Sequence, residues 1–236
     1  MRSKRIAALA LAVLMTLGLA ACGAKKEDSK TESADMVIRP VELSEEETAL
    51  TELLGLEMGD YHLYEFQLGE ESGVQSVRLA VYELAGGEWA EISTHFRPVS
   101  DATGRIALTY GKITDGVTIT VQSESGTGSS SYTPTPEDDV SGMACATSML
   151  TSAAGIEPEG EIPLAIQIVT AKGQITSYEV QYFGMPREYV KHDYEHVYAI
   201  TVLFSQKSVD ELVQTMAPGI PQNPAGEPSA EPSPET

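Results

Sequence analysis

The chain has 236 residues, with 35 acidic against 15 basic side chains and a formal charge of −20. Nucleic acid is not an expected partner, because phosphate binding needs clustered Lys and Arg, and a folded part this acidic is repelled by an anionic membrane surface. Aliphatic, aromatic and cysteine residues make up 42% of the chain, too many for a wholly disordered protein.

The first element is a short basic start, Met1-Arg2-Ser3-Lys4-Arg5, followed by the uncharged run Ile6 to Leu19. That order reads as a secretory signal peptide. At about 1.5 Å per residue the run spans only about 21 Å, short of a ~30 Å hydrocarbon core. It ends in Leu19-Ala20-Ala21-Cys22, which resembles the lipobox of bacterial lipoproteins. The resemblance implies diacylglyceryl transfer to the Cys22 thiol and cleavage after Ala21, so that residues 1–21 are removed. Two or more acyl chains then hold Cys22 stably in the membrane. The expected location is the extracytoplasmic face of the cell membrane, the outer surface in a Gram-positive cell. The covalent diacylglycerol is the only prosthetic group expected.

Residues 22–40 comprise the lipidated Cys and a polar stretch that reads as a flexible tether. Residues 217–236 are rich in Pro and carry three Glu and no base, the composition of a disordered acidic tail. The domain between them, 41–216, is expected to open and close with a helix. Ser44-Glu45-Glu46-Glu47 forms a capping box before Ala49, Leu50, Leu53 and Leu54, and Ser208-Val209-Asp210-Glu211 repeats it before Leu212, Val213 and Met216.

Between the helices the hydrophobic period is two. Tyr64, Phe66 and Leu68 alternate with polar residues, as do Val77, Leu79 and Val81. Gly86-Gly87 turns the chain into Trp89 to Ile92. Ile106, Leu108 and Tyr110 follow, then Val117, Ile119 and Val121 after Asp115-Gly116. Ser123 to Asp139 reads as the longest irregular loop. Residues 141–150 fit a strand better than a helix, and Cys145 within it is expected to be a buried, inert thiol. Ile162, Leu164, Ile166 and Ile168 alternate, and Lys172-Gly173 suggests a hairpin return through Ile175, Tyr178, Val180 and Tyr182. Val197 to Phe204 is apolar almost throughout, as in a central strand covered on both faces. The expected fold is all-β: an antiparallel β-sandwich of about 8–9 strands with short N- and C-terminal helices.

Candidate chemistry is sparse. His192 and His196 lie four residues apart with carboxylates between them, a spacing that zinc sites use but one that needs further ligands. Glu137, Asp138 and Asp139 can collect a hard cation such as Ca²⁺, without the spacing of a dedicated loop. Trp89 and Tyr132 are the rings least clearly assigned to a core, and either can stack on a ligand. No motif nominates a catalytic nucleophile or base. Around Glu161-Ile-Pro-Leu-Ala-Ile-Gln-Ile and Tyr194-Glu-His-Val-Tyr-Ala-Ile-Thr-Val the domain resembles small lipoproteins of anaerobic gut bacteria, a resemblance that implies no activity and no site residues. The expectation is a membrane-anchored lipoprotein whose sandwich is a non-catalytic binding or interaction domain with a protein or glycan partner. Its alternatives are a carbohydrate or small-ligand module and a metal-assisted hydrolase.

Overall fold

The computed structural model describes residues 36–53, 59–69, 71–134 and 140–216. The expected signal peptide, Cys22 and the Pro-rich tail lie outside the described residues. No helix among the described residues is long and apolar enough to cross a membrane.

Among the described residues, eleven strands form two antiparallel sheets. Strands β1 (Val37–Pro40), β2 (Tyr61–Gln67), β5 (Thr103–Thr109), β6 (Val117–Ser123), β7 (Gly126–Tyr132) and β9 (Ala154–Gly155) form the first, in the order β7-β6-β5-β2-β1-β9. Strands β3 (Ser76–Ala85), β4 (Glu88–Pro98), β8 (Ala144–Met149), β10 (Glu161–Thr170) and β11 (His196–Ser205) form the second, in the order β4-β3-β11-β10-β8. The inward residues expected from the alternation meet between the sheets. Ile38, Tyr64, Phe66, Ile106, Leu108, Ile119 and Val121 from one face Val77, Leu79, Val81, Leu164, Ile200, Val202 and Phe204 from the other. The Tyr64 hydroxyl donates to the Leu164 carbonyl across the gap at 3.0 Å.

The flanking helices are α1 (Glu45–Leu53) and α3 (Val209–Met216), with a single-turn helix α2 (Arg187–Val190) between them in sequence. Both capping boxes form. The Ser44 amide donates to Glu47 Oε2 at 2.9 Å and the Glu47 amide to Ser44 Oγ at 3.3 Å; Ser208 and Glu211 repeat this at 2.8 and 3.4 Å. Leu212 of α3 is buried, but α1 buries no residue, and Leu50 and Leu53 are exposed. The helix forms from its cap and propensity, not from burial of its stripe.

Four expectations are corrected. Val37–Pro40, assigned by composition to the tether, pairs with β2 and belongs to the domain, because Ile38 fills the core. The Ser123–Asp139 loop contains β7, whose Ser129 and Ser131 hydroxyls pair with Thr120 and Thr118 of β6; a strand with a polar outer face has no hydrophobic pattern to reveal it. Cys145 is exposed, because β8 is an edge strand with no neighbour beyond it. The hairpin expected after Lys172 does not form. The outer side of β10 is already taken by β8, so the chain from Ala171 to Glu195 crosses over the face of the second sheet instead, through a 3₁₀ turn at Val180–Gly184 and α2. That cover buries Ile166, Ile168, Val197 and Ala199, which explains why β10 and β11 are apolar on both sides. Residues 141–150 contain a strand, as expected.

Gln167 ties the sheets together by polar contacts. Fully buried, it accepts from the Ile113 amide at 2.7 Å and donates to the Gly111 carbonyl and to Thr147 Oγ1, each at 2.9 Å. It thereby fixes the turn between β5 and β6. On the opposite margin Arg97 of β4 lies over Gly128 of β7 and donates to the Ser129 carbonyl at 2.9 Å. Any side chain at Gly128 would occupy the guanidinium's place.

Acid sensitivity follows from two imidazoles. Burial holds His62 below its usual 6.5, with the Gly59 backbone and Asp60 opposing. Burial also lowers His95, helped by Arg97. The unfolded chain therefore takes up protons that the folded chain refuses, so their stabilisation is complete above 6.5 and is lost as pH falls from 6.5 towards their lowered values. Below the ordinary carboxylate value of 4.5 a second loss begins. The Ser44 and Ser208 amides hold Glu47 and Glu211 below it, and the Thr170 hydroxyl does the same for Glu195. Thermal melts should show a constant Tm from pH 8 to 7 and a falling one from pH 6.5 to 5. The double variant His62→Gln, His95→Gln should flatten the upper part of that fall; an unchanged slope would contradict the assignment.

Candidate functional site

The segment covering the second sheet is the most aromatic part of the domain. Trp89 of β4 stacks on Phe183 at 5.2 Å between centroids and donates its indole N–H to the Phe183 carbonyl at 2.8 Å. Tyr178 stacks on Tyr182 at 4.7 Å and meets Tyr189 edge-on at 5.3 Å. His192 stacks on Tyr194 at 5.2 Å and shares a 2.7 Å hydrogen bond between its Nε2 and the Tyr178 hydroxyl. Lys172 closes the cover by donating to the His192 carbonyl at 2.6 Å. Only Tyr189 among these rings is fully buried; Trp89, Tyr178, Tyr182, Phe183, His192 and Tyr194 each show part of their surface. Beside them Met185 and Val190 are 56% and 49% exposed. The result is one face of partly buried rings flanked by exposed Met185 and Val190 side chains. Next to it on the same sheet, Glu161 Oε1 accepts from Tyr82 and Thr201, each at 2.7 Å, while Arg78 bridges Glu161 and Glu91.

A second cluster lies between the sheets, at the end where β7 finishes and β11 begins. His196 and Tyr198 share the inner face of β11 with near-parallel rings, 5.9 Å apart. His196 Nδ1 meets Glu83 Oε1 of β3 at 2.9 Å. Glu83 pairs directly opposite Tyr198 in the sheet. Burial first, and then the nearby Glu83 carboxylate, raise the hydroxyls of both Tyr198 and Tyr132 above the usual 10. His196 Nε2 and the Tyr198 hydroxyl are buried with no hydrogen-bond partner.

A third feature is an open depression of about 410 Å³ on the outer face of the first sheet. Its wall is the cross-strand row Arg39, Glu65 and Arg105. Arg39 Nε lies 2.6 Å from Glu65, and Arg105 lies 3.7 Å from Glu47 of α1. Gln67, Thr103, Gln122 and Ser123 line the rest.

The structure distributes the sequence candidates unevenly. Trp89 and His192 both belong to the aromatic face; Trp89 is held by Phe183 and is half-buried. His196 meets Glu83, whose carboxylate also helps raise the Tyr132 hydroxyl. His192 and His196 do not converge, since one is bonded to Tyr178 over the outer face and the other faces the space between the sheets. Glu137, Asp138 and Asp139 lie outside the described residues. Among the described residues no three His, Cys, Asp or Glu side chains are placed to share a metal ion. Sequence reasoning missed Glu83, whose proximity to His196 is a cross-strand relation. It also missed Tyr198, although the His196-x-Tyr198 spacing places both on one face of a strand.

No family model, no curated protein and no solved structure matches this chain.

Proposed function

We propose that this chain is an extracytoplasmic lipoprotein, anchored through diacylglycerol on Cys22, whose β-sandwich is a non-catalytic interaction module. The observation that carries the interaction reading is the concentration of partly buried rings beside the exposed Met185 and Val190 on one face. Aromatic and Met side chains are enriched where protein surfaces meet, and isolated apolar residues are not. Residues 36–216 contribute 28 acidic and nine basic residues, net −19, so charge holds a tethered domain away from an anionic lipid surface and leaves this face open to a partner.

A photo-crosslinking side chain placed at Met185 in the lipoprotein on intact cells should yield a discrete adduct. Trp89→Ala should reduce that yield severalfold, because Trp89 supports Phe183 beside Met185. The same probe at Glu124, on the first sheet, should give none. No adduct from Met185, or equal yield from both positions, would contradict the reading.

A second reading has its own observation. The Arg39–Glu65–Arg105 row with Gln67, Thr103 and Gln122 offers paired donors and acceptors, the chemistry that polyhydroxylated ligands require. Selective binding on a glycan array, abolished by Arg105→Ala and untouched by Trp89→Ala, would favour a carbohydrate module over a protein-binding one.

A further inference from the structure

We propose that the outer face of the first sheet holds an internal stretch of a neutral, linear polysaccharide, laid across the strands along the row Arg39, Glu65, Arg105, Gln122 and Thr127; this ligand class rests on the second reading above. The six strands of the sheet carry three charged side chains, Arg39, Glu65 and Arg105. Two Arg against one Glu leave them net +1, within residues 36–216 whose total is −19. The acidity of the domain lies elsewhere. The outer face of the second sheet is covered by the chain from 171 to 195. The first is met by α1 through Glu47 at Arg105 and Thr51 at Tyr61, without α1 burying any residue of its own.

Alternation dictates the row. Ile38, Tyr64, Ile106 and Val121 point into the core, so their neighbours Arg39, Glu65, Arg105 and Gln122 point outward. Arg39 pairs with Glu65, Glu65 with Arg105, Arg105 with Gln122 and Gln122 with Thr127. Four strand spacings of about 4.8 Å make the row about 19 Å long. The 410 Å³ depression lies over its Arg39–Gln122 part, within the roughly 300–1,000 Å³ of ligand sites. It is open, so a chain can pass through it and need not end in it. Both guanidinium groups remain about half exposed. Arg105 stands 3.7 Å from Glu47, beyond the ~2.7–2.9 Å of a tight charge-assisted bond, so its fork can turn to another acceptor. Guanidinium forks on either side of a carboxylate donate and accept side by side, and adjacent hydroxyls do both. Phe66, the one ring among the lining residues, is buried, so recognition rests on hydroxyl groups and not on stacking. Beside the row, the Thr120–Ser129 and Thr118–Ser131 hydroxyl pairs continue the uncharged surface to the sheet edge. A polyanion meets arginines already facing Glu65 and Glu47 and is repelled by the net −19; a neutral chain is not.

Full-length lipoprotein, in a detergent without a sugar headgroup, applied to an array of linear oligosaccharides tests this. The array carries glucans, mannans and xylans of increasing length beside oligogalacturonates. The expected result is binding to a neutral series, with affinity that rises with length and then levels off, and no binding to the galacturonates. Arg105→Ala should weaken binding about tenfold or more, and Arg105→Lys should not restore it, because an ammonium group lacks the planar fork. Thr127→Ala, at an exposed position at the far end of the row, should weaken the long oligosaccharides severalfold and leave the short ones unchanged. Trp89→Ala should change nothing. Binding confined to galacturonates, or binding lost in Arg105→Ala but independent of length and of Thr127, would overturn this proposal and leave the second reading standing. No binding to any glycan, or neutral binding that survives Arg105→Ala, would overturn both.

Discussion

Gly104→Ala should lower stability by about 3 kcal/mol, the upper part of the range for overpacking a core. A methyl group at this position of β5 would sit 2.6 Å from the Gln122 carbonyl oxygen and 2.7 Å from Cε1 of Phe66. The ring can turn; the carbonyl is part of the neighbouring strand and cannot move without opening the ladder between β5 and β6. Gly104 is inside a strand and crossed by Phe66. Gly155 is the matched control. It is also in a strand, but nothing lies within 4 Å of an added methyl group, so Gly155→Ala should change stability by less than about 0.5 kcal/mol. Denaturant melts of the two variants check this; equal effects would contradict the packing described.

Gln167→Met should cost a similar amount, about 3 kcal/mol. Met has the unbranched length of Gln167, so no large cavity opens. The Ile113 amide, however, is left buried without an acceptor, at about 1–3 kcal/mol, and two further hydrogen bonds are lost at about 0.5–1.5 kcal/mol each, partly recovered by water. Gly111 and Thr147 are exposed, which limits the loss. Hydrogen exchange should localise the effect: the Ile113 amide should exchange far faster in the variant, while the amides of β3 and β11 slow or quicken only with global stability. Unchanged protection at Ile113 would show that Gln167 does not hold the turn.

The inner faces of this fold were legible because burial imposes its own period. Val77, Leu79 and Val81 could face the core together only on a strand, and the unbroken apolar run through β11 announced two covered faces. The identity of the second cover was hidden. Ile175, Tyr178, Val180 and Tyr182 resemble a strand in composition, but whether they pair at an edge or lie across a face depends on which strand reaches the edge of β10 first. Strand β7 was hidden for the opposite reason, since its stability comes from Ser and Thr hydroxyls and backbone pairing. Of the candidate residues, Trp89 was legible as a ring in a hairpin, although not its bond to Phe183. The contact of Glu83 with His196 joins two neighbouring strands, and no spacing along the chain encodes it.

The central claim is the proposed anchor, because lipidation at Cys22 would place the domain outside the cytoplasm. Membrane-fraction protein, extracted and measured by intact mass and N-terminal peptide mapping, tests it most directly. The account predicts a chain beginning at Cys22 and carrying diacylglycerol, and a Cys22→Ser variant that is released or retained as an unprocessed precursor. A wild-type chain that retains Met1, or that begins elsewhere without lipid, would contradict it.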